Sequence, residues 1–563
     1  MKTTAGLILA GLLLFGASLN DPFHFDDELI VRDSNVTNAA RWAHFFNPFY
    51  LRQFTHFTFY LNHLAGGVDP AGYHAVNVAI HIANAVLLLW LLRRFVDPWI
   101  AGVAAALFLV HPVQTESVLY VYQRSTLLAC FFSLVALLAL AKRRIGWAVL
   151  SFFLAFESKE SALAVPLAVA VFGGMRYAFA LNPGHDAQDG RPAPSYWRYA
   201  LMIAVLLLAG AALALLMLAD EQTVGIGAAE KISPLRYLLT QTRVVFTYLR
   251  LLVFPHPQSL EYEFPNAGGI VSVFGVVAIV LVAWRARHSI WGFLVLAFFI
   301  LLAPTSSFIP SGDAAFEHRL YLPMLAFSLF LAFLISKIPQ RTWIAVAVLV
   351  ILSILTLRRE AVWSSDAALW EDAVRHAPGK ARAWFNLGTA YLGSDPDKAR
   401  PALLRALELQ PHFPQALYDL GLIEQGKKNW SAALSYYQQA QSQDPGYWPA
   451  VNNIGNTLFA MGERQRSLEF FLETLRLNPD YWPAQYNIAI VHYESNRYMD
   501  AARRLKTVLD WRPDFREARY LFAVSLARTG NGNAANEQWK ILGETSEAGS
   551  RHTPTMILSP SRP

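Results

Sequence analysis

The chain has 563 residues, of which 54% are hydrophobic and only 16% charged, with a net charge of +6. That balance excludes an ordinary soluble globule and points to an integral membrane protein. The Lys and Arg residues are scattered rather than striped, so the surplus belongs to cytoplasmic loops, and a nucleic-acid partner is excluded. The single cysteine, Cys130, lies in an apolar run, which rules out an intrachain disulfide and a cysteine metal cluster.

Apolar runs recur up to about Leu357, at 4–19, 75–92, 98–110, 125–141, 146–157, 161–173, 199–218, 268–284, 289–303, 321–336 and 342–357. They predict about eleven transmembrane helices, several shorter than the usual ~20 residues and therefore extended by polar ends or broken around a cavity. With the amino terminus cytoplasmic, the inner turns hold Arg93/Arg94, Lys142/Arg143/Arg144, Arg176 with Arg191 and Arg198, Arg285/Arg287 and Lys337/Arg341. Every inner turn is then basic, as the positive-inside rule asks. An odd number of crossings leaves the carboxyl end outside. The stretch 237–254 carries Arg243 and Arg250 and predicts an amphipathic helix at the outer interface; were it to cross, every later loop would invert. A competing reading makes the first run a cleaved signal peptide, but the remaining topology needs no removal.

After Leu357 the chain turns polar and periodic. Trp384, Leu387, Gly388 and Tyr391 supply the W-x-x-L-G-x-x-Y spacing of a tetratricopeptide repeat. Pro411, Pro445, Pro479 and Pro513 recur at the same interval, and Gly388, Gly421 and Gly455 stand where paired helices would cross. About four full repeats are expected, with a partial unit before Pro378 and a degenerate one after Glu517. The aromatic turns "PGYWPA", "PDYWPA" and "RPDFREA" predict packing between repeats, or else a groove for an extended peptide or glycan. The expected fold is all-α: a polytopic membrane domain over 1–357, a tetratricopeptide-repeat α-solenoid over 358–542, and a Ser/Pro/Thr-rich disordered tail over 543–563.

Polar groups are costly in a membrane domain and mark function. By this topology most of them meet on the outer face. They are Asp26 and Asp27 in "FHFDDELIVRD", Arg52, His56, His74, Asn77, His81, Glu116, Arg124, Lys159, Glu160, Arg250, Glu317 and Arg319. Such a gathering suits an anionic lipid and a polar second substrate. Blander readings stand beside it: a helix cap for the acidic pair, snorkelling for Arg319, an internal salt bridge for Lys159, interhelical hydrogen bonds for His74 and Asn77.

The stretches "YLRQFTHFTFYLNHLAGGVDPAGYHAVNVAIHIANAVLLL", "HPVQTESVLYVYQRSTLL", "SKESALAVP" and "EHRLYLP" resemble the membrane domain of the transmembrane and tetratricopeptide-repeat O-mannosyltransferases and their bacterial relatives. Those enzymes belong to the GT-C superfamily of polytopic glycosyltransferases. The resemblance implies a sugar donor on polyprenyl phosphate or diphosphate, an acidic pair in the first outer loop, and inversion by single displacement. Sugar transfer needs a base for the acceptor hydroxyl and cations for the leaving phosphate. Asp26 is the expected base, with Asp27 orienting the acceptor or sharing that role. Arg319 and Lys159 would hold the donor phosphate, with Arg124 and Arg250 ranked lower. Glu317 would steady Arg319, Glu160 would pair with Lys159, and Glu116, His74 and Asn77 would line the cavity. No cofactor is expected; a divalent metal on His24, His74 or the Asp pair is the lesser reading, since no ligand cluster has strong spacing.

No P-loop, GxSxG elbow or dinucleotide fingerprint occurs, and an outer site disfavours a nucleotide-sugar donor. The expected protein is a membrane glycosyltransferase acting on an extracytoplasmic acceptor, a protein or a glycan, that the repeats recruit. Its expected place is a bacterial inner membrane with periplasmic repeats, or an ER membrane with lumenal repeats. The rival readings are a non-catalytic scaffold for envelope assembly and a lipid-linked sugar transporter.

Overall fold

The computed structural model describes residues 2–38, 52–169, 233–264, 269–306, 313–543 and 556–557. Among them every regular element is a helix. The chain divides into two compact units, Met1–Ala377 and Pro378–Pro563.

In the first unit, Asp-Pro pairs start two core helices. Asp69 precedes Pro70–Leu92 and accepts the Ala71 N–H at 3.1 Å, and Asp97 precedes Pro98–Val110 and accepts the Trp99 N–H at 2.9 Å. The carboxylate satisfies an orphan donor, and proline at the first helical position gives up one that had no partner. Helix Pro70–Leu92 packs on Arg124–Ala141, which pairs with Ile145–Ser158; Pro98–Val110 packs on Met324–Ser336.

Three described helices are long and apolar enough to cross a bilayer: Pro70–Leu92, Val121–Ala141 and Arg341–Val362. A fourth arises if Pro98–Val110 and Pro112–Leu119, bent by 52°, make one broken span. The apolar helices Lys2–Phe15, Ile290–Leu302 and Met324–Ser336 have 13 or 14 residues. At ~1.5 Å per residue these reach roughly 20 Å, short of a ~30 Å hydrocarbon core. By length and composition, three or four spans stand among the described residues. The expected crossing at 199–218 and the end of that at 161–173 lie outside the described residues.

The bend at His111-Pro112 has a local cause. Proline lacks the N–H that would continue the ladder and drives the preceding residue out of the helical region. His111 is accordingly extended, with φ −73° and ψ 129°. The short helix Thr115–Leu119 that follows carries Glu116 into the buried interior.

The amphipathic helix expected over 237–254 is present as Pro234–Val253, with Tyr237, Gln241, Val244, Tyr248 and Leu251 buried on one face. Helix Arg341–Val362 runs past Leu357 through Arg358, Arg359 and Glu360. This polar end is held within the first unit by Arg359, which donates to Asp372 Oδ2 at 2.9 Å on helix Asp366–His376.

The second unit is a solenoid of five helix pairs among the described residues: 381–392 with 396–409, 414–426 with 430–443, 448–460 with 464–477, 482–494 with 498–511, and 516–528 with 532–542. The turn aromatics pack between repeats. Trp448 meets Tyr481 at 4.4 Å between ring centroids, and Phe515 meets Trp482 at 5.4 Å and Tyr486 at 4.9 Å. The glycines sit at helix crossings: a Cβ on Gly455 would stand 2.7 Å from the Phe471 ring. Gly455→Ala should therefore lower the unfolding temperature. Overpacking costs about 1–3 kcal/mol, against the ~1 kcal/mol that alanine gains in helix propensity.

Candidate active site

The segment Tyr120–Arg124 is the strap on which the site is assembled. Its consecutive residues reach three other parts of the first unit. The Tyr120 hydroxyl donates to Asp26 Oδ2 at 2.9 Å. The N–H groups of Val121 and Tyr122 donate to the two Asp27 oxygens at 3.2 and 2.7 Å. Gln123 Oε1 accepts from Lys159 Nζ at 3.1 Å. A few residues of backbone span roughly 10 Å at most, so the acidic pair and Lys159 are tethered to one short segment of chain.

The two aspartates have different surroundings. Asp27 is fully buried and accepts a third backbone N–H, that of His24, at 3.2 Å. Burial pushes its carboxyl up to about 7, against the pull of those N–H donors. Its oxygens are spent on holding the loop to the strap. Asp26 is half-buried, and although it stands at a helix start its side chain makes no cap bond. The cap reading therefore fails for Asp26, which keeps part of its surface exposed. Phe25, just before it, has φ 54°, a left-handed backbone uncommon for an aromatic residue. Strain of that kind costs about 1–3 kcal/mol and persists only where the surroundings enforce it. Here the Phe25 ring lies against Tyr120 and Trp370.

Lys159 is buried and donates to Thr126 Oγ1 at 2.6 Å as well as to Gln123. Burial first, then the nearby Arg52 charge, push its amine down to about 7. The expected pairing with Glu160 is corrected: Glu160 takes Arg52 in a two-point contact, at 2.8 and 3.3 Å. The fork of the guanidinium matches a carboxylate better than a single ammonium does.

The turn Glu317–Leu320 supplies the other cation. Glu116 organises it, accepting the Glu317 N–H at 2.9 Å and facing His318 Nδ1 at 2.5 Å. Glu317 does not steady Arg319, as the sequence had suggested. It accepts from Gln258 Nε2 at 2.6 Å, from the Ser259 N–H at 3.1 Å and from the Tyr262 hydroxyl, with Arg359 at 4.0 Å. Side chains two positions apart on a 3₁₀ turn of three residues diverge, so Glu317 faces Gln258 and Tyr262 while Arg319 donates to the Asp313 and Ala314 carbonyls at 2.8 and 2.9 Å. Burial, then the charges of Lys159, Arg319 and Arg52, hold the His318 ring well below the usual imidazole range.

Other expected residues have structural partners. Arg124 is fully buried and donates to Asn77 Oδ1 at 2.8 Å, Asn62 Oδ1 at 2.6 Å and the Tyr73 carbonyl at 3.0 Å, with its guanidinium over the Phe59 ring. It clamps helices Gln53–Gly66 and Pro70–Leu92 rather than facing an anion. Arg250 donates to the His256 and Pro257 carbonyls at its own helix end. Asn77 also donates to the Val118 carbonyl at 3.2 Å; His81 bridges the Tyr321 hydroxyl at 2.7 Å and the Leu109 carbonyl at 3.1 Å. These are the interhelical hydrogen bonds of the blander reading, and His74 is buried on the same helix. Among the described residues no three His, Cys, Asp or Glu side chains gather as metal donors.

The sequence reading overlooked Tyr120, Gln123 and His318 as contacts of the site, and Arg359 as the charge facing Glu317. The first two lie within the quoted "HPVQTESVLYVYQRSTLL" and His318 within "EHRLYLP", so proximity to charged positions was the available signal.

A family model described as tetratricopeptide repeat matches residues 393–447 and 486–539. Over 71% of its length the chain is 26% identical to mouse protein O-mannosyl-transferase TMTC3, covering 48% of that protein. The chain is a relative of the protein O-mannosyl-transferases. A Caenorhabditis elegans protein O-mannosyl-transferase is 24% identical over 65% of the chain and 54% of its own length. The chain thus spans about half the length of the curated relatives it matches. Among solved structures, that of MamA is similar to 26% of the chain at 20% identity, covering 85% of that protein with a TM-score of 0.24. The candidate spans, by length and apolar composition, mark the chain as a membrane protein.

Proposed function

We propose that this chain is a GT-C-type glycosyltransferase that moves a sugar from a polyprenyl-phosphate-linked donor to a protein hydroxyl outside the cytoplasm. The observation that carries the reading is the strap Tyr120–Gln123, one short segment that hydrogen-bonds both the half-buried Asp26 carboxylate and the buried Lys159 amine. Asp26 takes the acceptor hydroxyl proton as that oxygen attacks the sugar's anomeric carbon. The bond from that carbon to the phosphate oxygen breaks, and Lys159, Arg319 and Arg52 hold the departing phosphate. The O-mannosyl-transferase relatives support mannose and a protein acceptor. The repeats, supported by their family match, recruit that acceptor. The basic inner turns support about eleven crossings, shorter apolar helices included, with the amino terminus cytoplasmic and the repeats extracytoplasmic in a bacterial inner membrane.

The direct test is purified chain in detergent with radiolabelled polyprenyl-phosphate mannose and an unfolded Ser/Thr-rich protein. Label on protein hydroxyls is the expected result; no transfer from this or other polyprenyl-phosphate hexoses would sink the reading.

Lys159 permits a sharper test. A buried amine without an anion costs stability, whereas a docked phosphate stabilises it. Lys159→Met should lower transfer by about 10²-fold, the loss typical of one oxyanion-holding group, without lowering thermal stability. Between about pH 7 and the ~10.4 of a free lysine the unfolded chain binds the extra proton, so stability rises with pH across that window. That slope should be absent in Lys159→Met, and donor binding to the wild type should weaken as pH rises above 7. Thermal unfolding and donor titration at several pH values check both.

A further inference from the structure

We propose that the chain's own Met556–Ile557 is a resident occupant of the asparagine-lined face of the repeats, which an extended peptide from another protein has to displace. This goes beyond sugar transfer and holds whether or not the first unit is an enzyme.

The repeat period aligns Asp419, Asn453 and Asn487 on the first helices of successive pairs. The structure turns two of these positions, with Asn456, into a continuous row of buried carboxamides. Asn453 donates to the Tyr418 hydroxyl at 2.8 Å, Asn456 to Asn453 Oδ1 at 3.0 Å, and Asn487 to Asn456 Oδ1 at 3.1 Å. Burying so many amides costs free energy unless all are satisfied, and the row closes only on main chain from elsewhere. Asn487 Nδ2 donates to the Ile557 carbonyl at 2.9 Å, while Asn487 Oδ1 accepts the Ile557 N–H at 2.8 Å. Asn456 Nδ2 donates to the same carbonyl at 3.1 Å.

A carboxamide that reads both the N–H and the C=O of one residue imitates a neighbouring β-strand. It selects no side chain, but it requires an extended residue that is not proline. Selectivity comes from the flanks. Met556 packs against the buried apolar clusters around Tyr486 and around Ile488, with Phe459 beside both. The ligand class is therefore an extended peptide with an apolar residue next to a clamped, non-proline one. The segment at 556–557 meets that description, so a peptide from another protein has to displace it. Occupation from within lowers the apparent affinity for an outside peptide by the fraction of open groove.

The test uses the full chain and a fluorescent peptide of residues 552–562, HTPTMILSPSR. Wild-type chain should bind it weakly. Ile557→Pro in the chain removes the clamped N–H, frees the groove and should raise affinity by roughly tenfold or more. On that variant, a peptide carrying Pro in place of Ile557 should not bind, a control that leaves the protein unchanged. Hydrogen exchange at the Ile557 amide should be slow in the wild type and fast in Asn487→Ala. Equal peptide affinity for wild type and Ile557→Pro would overturn the resident occupant. Equal binding of the two peptides would overturn the clamp.

Discussion

Asp26→Asn should lower sugar transfer by about 10²–10⁴-fold, the usual worth of a positioned general base, while the protein folds as before. The Asn side chain keeps an oxygen that the Tyr120 hydroxyl can donate to, as it does to Asp26 Oδ2 at 2.9 Å. No helix cap is lost, because the Asp26 side chain caps nothing. The stability change should stay within about 1 kcal/mol, the worth of one exchanged hydrogen bond. Donor affinity should be unchanged, since the cations are untouched, so the loss appears in kcat rather than KM. An unaltered transfer rate in Asp26→Asn would remove the base from the mechanism.

Asp27→Ala should behave in the opposite way and damage the fold first. The side chain is fully buried and its two oxygens accept the N–H groups of His24, Val121 and Tyr122. Truncation strands three buried donors and detaches the first loop from the strap. Each stranded group costs about 1–3 kcal/mol, so a loss of at least about 3 kcal/mol is expected, enough to be seen as a large fall in unfolding temperature. Asp27→Asn should lose less, because one oxygen still accepts. Activity would fall in both, but together with stability. A stable, fully folded Asp27→Ala that transfers no sugar would show instead that Asp27, not Asp26, does the chemistry.

This contrast shows how far the sequence could be read. The two aspartates are neighbours in "FHFDDELIVRD", and nothing local separates a half-buried carboxylate from a fully buried one. Their difference is set by Tyr122, which lies 95 residues beyond Asp27. Arg124 teaches the same lesson. It sits in a polar turn between apolar runs, as Lys159 does, yet Asn62, Asn77 and Tyr73 surround it and leave it a structural clamp. Charge in an apolar chain pointed to the right neighbourhood in both cases, but the partner decided the role.

What the sequence determined by itself follows from local physics. Helical periodicity, Asp-Pro starts at Asp69 and Asp97, the break at Pro112 and the thirty-four-residue proline interval are all written within a few turns of chain, so they survive without tertiary information. The tertiary structure alone decided which charges meet. Glu116 finds His318 across 202 residues, Arg52 finds Glu160 across 108, and Asn487 finds Ile557 across 70. Such pairs obey no period. They form because a buried donor or acceptor must find a partner wherever packing brings one within reach.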